Sequence, residues 1–452
     1  MRTTLFVISD LHLGGMPGGE GKPGFQICPP ATQAVLGKFI DDLPARTASS
    51  DVRLVLAGDI VDFLAEEPFQ AFTADPKQAQ SKLCHILEAT SLVWDALKRF
   101  VTERDGAVTL MLGNHDIELA LPDIRPLLLA RIGPGRVDFI YDNEAFRFGG
   151  VLIEHGNRFD EWNAVPHGAL RRVRSQQSRG VPVVPDFPGV PGSRLVTEVM
   201  NPLKKKYAFV DLLKPEDAGA LPILAALGAG GLREAWKFFQ QFRQTWSIDY
   251  DEDREPLDQE LIAAGGGEDQ QLFDLAQDIA QGGSATEVGA ASKLLVAEAL
   301  FRALRGVIGK HREAFDVARE KDTYLVPARR AARAGFQVVV YGHTHLAKRV
   351  PLADNEQALP VYLNTGTWAD VMSLPEAVWG QDEHQSRADL AAFVRDLERN
   401  ELQRWRRSVP AFAKIVLEDE TVTSADLHFA GDGERVTPEA LAKRLTASAD
   451  HV

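Results

Sequence analysis

Five short segments of this 452-residue sequence carry side chains that bind metal ions, and each follows a run of apolar residues. They are Ser9-Asp10-Leu11-His12, Gly58-Asp59-Ile60-Val61-Asp62, Gly113-Asn114-His115-Asp116, Glu154-His155-Gly156-Asn157 and Gly342-His343-Thr344-His345. Five of the 11 histidines lie in them, a concentration that packing alone does not call for. In Asp10-x-His12 and His343-x-His345, alternate residues of an extended segment project to the same side, so both members of each pair can face one site. The donors are carboxylate, imidazole and amide, with no thiolate. Such a set suits Mn²⁺, Fe or Zn²⁺ rather than an iron–sulfur or structural zinc site. There are enough donors for two ions, and Asp59 is the bridging candidate, since the two oxygens of one carboxylate can touch two cations. Taken singly, each segment has a plainer reading. Asp-x-His and Gly-Asp serve as turns at strand ends, His155 as a hydrogen-bonded core histidine, and Asp62 as a carboxylate at a helix N-terminus. It is their joint occurrence, in order, that points to a site.

The elements that must position these side chains are short apolar runs: Leu5–Ile8, Arg53–Ala57, Ala107–Leu112, Val151–Glu154, Gln337–Tyr341 and Val361–Asn364. Continuous β-rich runs of this length read as strands buried on both faces. Helical periodicity over Ala31–Leu43 and Pro76–Thr102 gives a β-α-β-α-β opening. Phe146–Phe148 and Val151–Ile153 suggest antiparallel pairing around a glycine turn. From about residue 157 to 335 the pattern is helical, at Arg233–Trp246, Gln270–Gln281, Ala290–Val317 and Tyr324–Ala334. A proline-punctuated stretch, Val181–Pro188, is held extended. Strands then return, followed by a polar helix near Asp382–Trp405, a strand pair at Ala413–Glu418 and Ala425–Phe429, and a terminal helix beyond Pro438. The expected fold class is α/β. One discontinuous domain covers 1–160 and 336–435, 161–335 forms a helical insertion or lid, and 436–452 is a helix or tail.

Composition narrows the function. Hydrophobic residues at 45% and charged residues at 25% are ordinary for a globular protein and exclude disordered and collagenous classes. With 50 basic against 64 acidic residues, the net charge of -14 opposes broad attraction to nucleic acid. Two cysteines, Cys28 and Cys84, are too few for a disulfide framework. That usage, with no leader-like N-terminus, predicts a cytoplasmic protein. No stretch reaches the ~18 apolar residues of a membrane span.

In this order the blocks resemble the calcineurin-like metallophosphoesterases, whose pattern is D-x-H, G-D-x-x-D, G-N-H-D/E, H and G-H-x-H. The resemblance covers about residues 5–160 and 336–370, and the helical middle has no counterpart in it. It implies a four-layer αββα sandwich with a mainly α-helical insertion. It also implies two divalent ions at the strand ends, Mn²⁺ ahead of Fe or Zn²⁺. Carried over by position, Asp10, His12, Asp59 and His345 would hold one ion, and Asp59, Asn114, His155 and His343 the other. His115 would be the catalytic histidine, Asp116 its orienting partner, and Asp62 a support for a ligand. The implied reaction is hydrolysis of a phosphodiester, phosphomonoester or phosphoanhydride by hydroxide held between the ions.

The residues beyond the motifs bear on substrate. Arg158 is a candidate for a second phosphate, the alternative being an ion pair with Asp160 or Glu161. Asn157 stands where the similar bacterial UDP-diacylglucosamine pyrophosphatases usually have aspartate, and His115 where they commonly have arginine. The insertion carries Arg171, Arg172, Arg174, Arg179 and Lys204 to Lys206, then the aromatics Trp236, Phe238, Phe239, Phe242 and Trp246. It reads either as a lid receiving a phosphate and a lipid or base, or as a subdomain with a solvated basic face. The expected substrate is a small-molecule or lipid-linked phosphate, with peripheral membrane contact through the insertion as a further reading. Alternatives are a pyrophosphatase or phosphodiesterase on a lipid-linked or nucleotide diphosphate, and a nuclease, since double-strand-break repair nucleases share this motif order. A non-catalytic scaffold such as the retromer subunit is opposed by the full ligand set.

Overall fold

The computed structural model describes residues 1–15, 24–181, 187, 189–205, 207–213, 313–353, 359–372 and 383–446. They form a mixed α/β structure with two compact units. The first spans Met1–Asn201, Phe315–Asp370 and Arg407–Ala447, and the second Pro202–Ala314, Val371–Arg406 and Ser448–Val452.

In the first unit, β1 (Arg2–Ile8), β2 (Asp51–Ala57), β3 (Ala107–Met111) and β4 (Val137–Ile140) lie side by side and parallel. A second sheet follows, built from β5 (Ala145–Phe148), β6 (Val151–Glu154), β7 (Val338–Tyr341), β8 (Ala347–Pro351) and β9 (Val361–Thr365), in the order β5-β6-β7-β9-β8. Its centre, β6-β7-β9, is parallel, and its two edges are antiparallel. Past the short strands β10 (Val371–Met372) and β11 (Arg406–Arg407), the antiparallel pair β12 (Ala411–Glu418) and β13 (Thr421–Phe429) returns to the first sheet, β12 beside β1.

The continuous apolar strands are buried on both faces. Phe6 and Ile8 join one core with α1 (Pro30–Asp42), α2 (Pro76–Ala89) and α3 (Ser91–Thr102), through Leu36, Phe39, Trp94 and Leu97. Leu5 and Val7, which point the other way, are also fully buried. The second sheet repeats this. Val339 and Tyr341 pack on Tyr324, Leu325 and Ala328, while Val338 and Val340 are buried on the opposite face. Each fully buried aliphatic side chain contributes about 1.5–3 kcal/mol, which makes these strands rigid supports for whatever follows their ends.

The expected strands all form, with ends shifted by up to four residues, since β1 begins at Arg2 rather than Leu5 and β13 at Thr421 rather than Ala425. β4, β8 and the two-residue strands β10 and β11 were not foreseen. β4 is only half-buried at the sheet edge, so its apolar pattern is weak. The single periodic segment Pro76–Thr102 is two helices. Asp75 caps α2 by accepting from Gln78 N at 2.8 Å, and the chain leaves helical geometry at Thr90. There the Thr90 hydroxyl donates to Ile86 O and accepts from Trp94 Nε1, so one side chain bonds to both helices.

The domain boundaries also differ from the expectation. α4 (Arg125–Ile132), α5 (His167–Ser178), α6 (Pro191–Leu195) and α7 (Asp322–Arg333) all belong to the first unit, which therefore runs to Asn201 and resumes at Phe315 rather than breaking at 160 and 336. The cause is apolar packing, since Leu170 and Val173 of α5 share the main core and α7 covers the second sheet. In the second unit, α8 (Glu383–Glu398) buries Leu390, Phe393 and Leu397, and the Phe393 ring meets Trp405 edge-on at 4.9 Å. The terminal helix α9 (Pro438–Thr446) forms as expected, in the first unit. The helical segments expected between 233 and 312, the aromatics 236–246 and most of the proline-punctuated stretch lie outside the described residues.

Candidate metal centre

Parallel strands bring their C-terminal ends to one edge of a sheet, which is where such sheets bind ligands. β1, β2 and β3 end in the Asp10, Asp59 and Asn114 segments, while β6 and β7 end in His155 and His343. The loops are tied together by their backbones. Asp10 N donates to Gly58 O (3.1 Å), His12 N to Asp59 O (2.9 Å) and Gly342 N to His155 O (2.8 Å). The two sheets meet here, since His343 N donates to the Asp10 carboxylate at 3.0 Å.

Tight turns deliver the side chains. Among the described residues, nine non-glycine residues have positive φ, and five of them are Asp10, His12, Asp59, His343 and His345. Left-handed backbone in such residues is held only where the surroundings over-determine it, and it gathers at ligand-binding sites. Two motif glycines are required for close approach: a Cβ on Gly113 would fall on Asp59 Oδ1, and one on Gly342 would strike Ser9 and Asp10.

The side chains converge in three overlapping groups, Asp10 with His12, Asp59 and His345; Asp59 with His155 and His343; and His12 with Asp62 and His115. Within each group the candidate ligand atoms lie within 4.8 Å of one another. Asp59 belongs to both of the first two. Its Oδ2 is 3.2 Å from His155 Nε2 and 3.7 Å from His12 Nε2. His345 Nε2 is 3.3 Å from Asp10 Oδ1 and 2.9 Å from His12 Nε2. Asn114 Oδ1 is buried without a hydrogen-bond partner, and a carbonyl oxygen with its lone pairs unspent is a donor that a cation could take. Buried Asp and His groups this close together can hold metal ions.

Electrostatics agree. Burial alone would raise the Asp59 carboxyl, but the imidazoles of His155, His115 and His12 hold it well below the usual range. Asp10 is opposed by burial in the same way, yet hydrogen bonding to His345 and the nearby imidazoles bring it to about 2. Burial pulls His155 down, but Asp59 more than reverses this and lifts it to about 10. Ionised carboxylates buried this deeply require positive charge beside them, and divalent cations would supply it as protonated imidazoles do.

The expected ligands Asp10, His12, Asp59, His155, His343 and His345 are thus brought together, and the seventh, Asn114, is next in sequence to Gly113, which packs against Asp59. Several other expectations are corrected. Asp116 does not orient His115: its carboxylate accepts from the backbone amides of Gly113 and Ile60, both at 2.7 Å, and so fixes the Asn114 turn onto the Asp59 turn. Burial, with the Asp59 charge, raises it to about 7. Asp62 stands beside His115 instead, 3.2 Å from its Nδ1, and 3.4 Å from His12 Nδ1. It also accepts from Leu64 N and Ala65 N, so the helix N-terminal reading of Asp62 holds as well. Arg158 stands beside the carboxylates of Glu144 (3.6 Å) and Glu154 (3.8 Å), two partners that the sequence did not suggest. Asn157 donates to Asn163 O at 2.9 Å, a structural contact.

Sequence reasoning missed two supports. Asp160, assigned only as a partner for Arg158, has Oδ2 3.0 Å from His343 Nε2. The segment Asn364-Thr365-Gly366-Thr367-Trp368 clasps the centre. Asn364 donates to Gly342 O (2.7 Å) and Thr344 Oγ1 (3.1 Å), Thr365 bonds to Ser9, and Thr367 Oγ1 and Trp368 N both reach Asp10 O. A buried Asn and two buried Thr directly after an apolar strand were the available signal.

No family model, no curated protein and no solved structure matches this chain. No helix among the described residues is long and apolar enough to cross a membrane.

Proposed function

We propose that this chain is a metal-dependent phosphoric ester hydrolase of the calcineurin-like metallophosphoesterase type. The observation that carries the reading is the overlap of two carboxylate–imidazole groups at a single shared residue, Asp59, which gives adjoining sites for two cations. One ion would take Asp10, His12, Asp59 and His345, and the other Asp59, Asn114, His155 and His343. When bound, two divalent ions supply an activated water at neutral pH and neutralise charge on a phosphoryl group. Oxygen and nitrogen donors without thiolate favour Mn²⁺, with Fe or Zn²⁺ as alternatives.

The chain's own residues do the rest. Water attacks phosphorus in line, the ester or anhydride P–O bond breaks, and the leaving oxygen needs a proton. His115 has the most exposed side chain of the five motif histidines, at 18% against 1% for His12 and His155, as a group that meets substrate must be. Asp62 beside its Nδ1 stabilises a protonated ring and directs the opposite nitrogen outward. The four-layer αββα arrangement is part of the proposal, supported by two sheets that are each buried on both faces and have helices packed on one of them. The substrate is a phosphodiester, phosphomonoester or phosphoanhydride in a small molecule or lipid-linked phosphate. The pairing of Arg158 with glutamates weighs against a diphosphate held by that residue.

The test is metal content of the purified protein together with hydrolysis of bis-p-nitrophenyl phosphate and p-nitrophenyl phosphate, with Mn²⁺ added or chelated. About two ions per chain and metal-dependent release are expected. A protein that binds no divalent ion under any of these conditions would refute the reading.

A further inference from the structure

Asp160 lies outside all five motif segments, yet it is bonded to one second-ion ligand, His343, and to the neighbour of another, Asn114. Its Oδ2 receives two donors, His343 Nε2 at 3.0 Å and Asn163 Nδ2 at 2.8 Å, while Oδ1 accepts from Trp162 N at 2.9 Å. Asn163 in turn accepts at Oδ1 from Asn114 Nδ2, at 3.2 Å. A carboxylate can only accept, and at neutral pH an ordinary Asp is ionised. Each contact in the chain therefore has one allowed direction. Asn163 must present its NH₂ to Asp160, which leaves its oxygen for Asn114. Asn114 must spend its NH₂ there, which leaves Oδ1, the buried oxygen without a partner, as its free donor atom. His343 must donate from Nε2, which leaves Nδ1 as the lone-pair nitrogen of the ring.

We infer that Asp160 is a positioning residue that sets the polarity of two ligands of the second ion, Asn114 through Asn163 and His343 directly, so that both offer lone pairs to that ion. The inference rests on the two-ion reading above. Asn163 is itself locked. Gly192 N donates to Trp162 O at 2.7 Å, and a Cβ on Gly192 would fall on Asn163 Oδ1, so α6 closes over the amide. The bonds from Asp160 and Asn163 run to His343 and Asn114, both ligands proposed for the second ion, so the device acts on that site. Ala at 160 removes the oxygen that both donors share, so neither Asn163 nor His343 is held to the required direction, and either ligand can turn the wrong atom to the ion.

The test uses the full chain, titrated with Mn²⁺ after chelation, in wild type, Asp160→Ala and Asn163→Ala, with thermal melts to establish that each variant is folded. The expected result is a 10–100-fold loss of affinity at one site in Asp160→Ala, an unchanged affinity at the other, and a smaller loss at the same site in Asn163→Ala. In metal-free protein, long-range ¹H–¹⁵N NMR should find the His343 ring protonated at Nε2 in wild type and mixed between tautomers in Asp160→Ala. Wild-type affinity at both sites in Asp160→Ala would overturn the inference, as would equal weakening of both ions or a His343 ring protonated at Nδ1 in wild type. If wild type binds no ion, the two-ion reading fails, and the tautomer measurement still judges the polarity device by itself.

Discussion

Replacing Asn364 by Ala tests whether the clasp behind the centre is what holds it. Asn364 is fully buried. Its Nδ2 donates to Gly342 O, Thr344 Oγ1 and, at 3.4 Å, Tyr362 Oη, and its Oδ1 accepts from Gly366 N at 3.0 Å. Alanine removes all four bonds. Gly342 O keeps a second donor, Thr344 N at 2.8 Å, so the main penalty is the buried Gly366 amide, left without its acceptor. An orphaned buried amide costs about 1–3 kcal/mol and the lost bonds to Gly342 O and Thr344 Oγ1 about 1 kcal/mol each, for a total of about 3–5 kcal/mol. Urea unfolding of the chelated protein measures this without reference to any ion. Gly342-His343-Thr344-His345 gives one ligand to each proposed ion, so Mn²⁺ affinity should fall at both sites, by about 10–100-fold. Asn364→Asp should be no better, because a carboxylate oxygen would then face Gly342 O. The reasoning is refuted if Asn364→Ala stays within about 0.5 kcal/mol of wild type, the range of an ordinary surface substitution.

Further outcomes separate the roles of individual residues. His115→Ala should lower turnover of bis-p-nitrophenyl phosphate by about 10²–10⁴-fold while metal content stays near wild type. Asp59→Ala should lose both, and equal metal loss in the two variants would contradict the assigned roles. Gly113→Ala forces a methyl group onto Asp59 Oδ1. Overpacking of this kind costs about 1–3 kcal/mol, and Asp59 is displaced, so calorimetry should show weaker binding of both ions. Burial raises the Glu118 carboxyl from its ordinary 4.5 to about 7 in the folded protein, against the Thr73 amide and Lys82. The folded state then holds a proton that the unfolded chain releases, so stability is lost as pH rises from about 4.5 to about 7, by of order 3 kcal/mol. Glu118→Gln should remove that slope from melting curves taken between pH 4.5 and 8, and an unchanged slope would refute the assignment.

Much of the centre was legible because carboxylate and imidazole donors stand out by residue type and by their order behind apolar runs. Asp10, His12, Asp59, Asn114, His155, His343 and His345 each follow an apolar run, and both the run and the donor are local properties of the chain. The strands were legible for the same reason: burial on both faces writes a continuous apolar signal, as in Leu5–Ile8 and Val338–Tyr341. Half-buried β4 writes no such signal, and the helix break at Thr90 depends on a hydroxyl bonding in two directions.

What the sequence determined by itself was the donor chemistry of the site and the strands that carry it. Tertiary structure decided which carboxylate serves which partner. Asp116 and Asp62 stand one and 53 positions from His115, yet Asp116 is turned into the amides of Gly113 and Ile60 while Asp62 faces the imidazole. Arg158 and Asp160 are neighbours, yet Arg158 faces Glu144 and Glu154 while Asp160 faces His343. Asn364 lies 20 positions from Thr344 and is its hydrogen-bond donor. Residue type sets what a group can bond to, and the folded backbone sets which way it points. Directional bonds of about 3 Å turn on that second choice, which only packing makes.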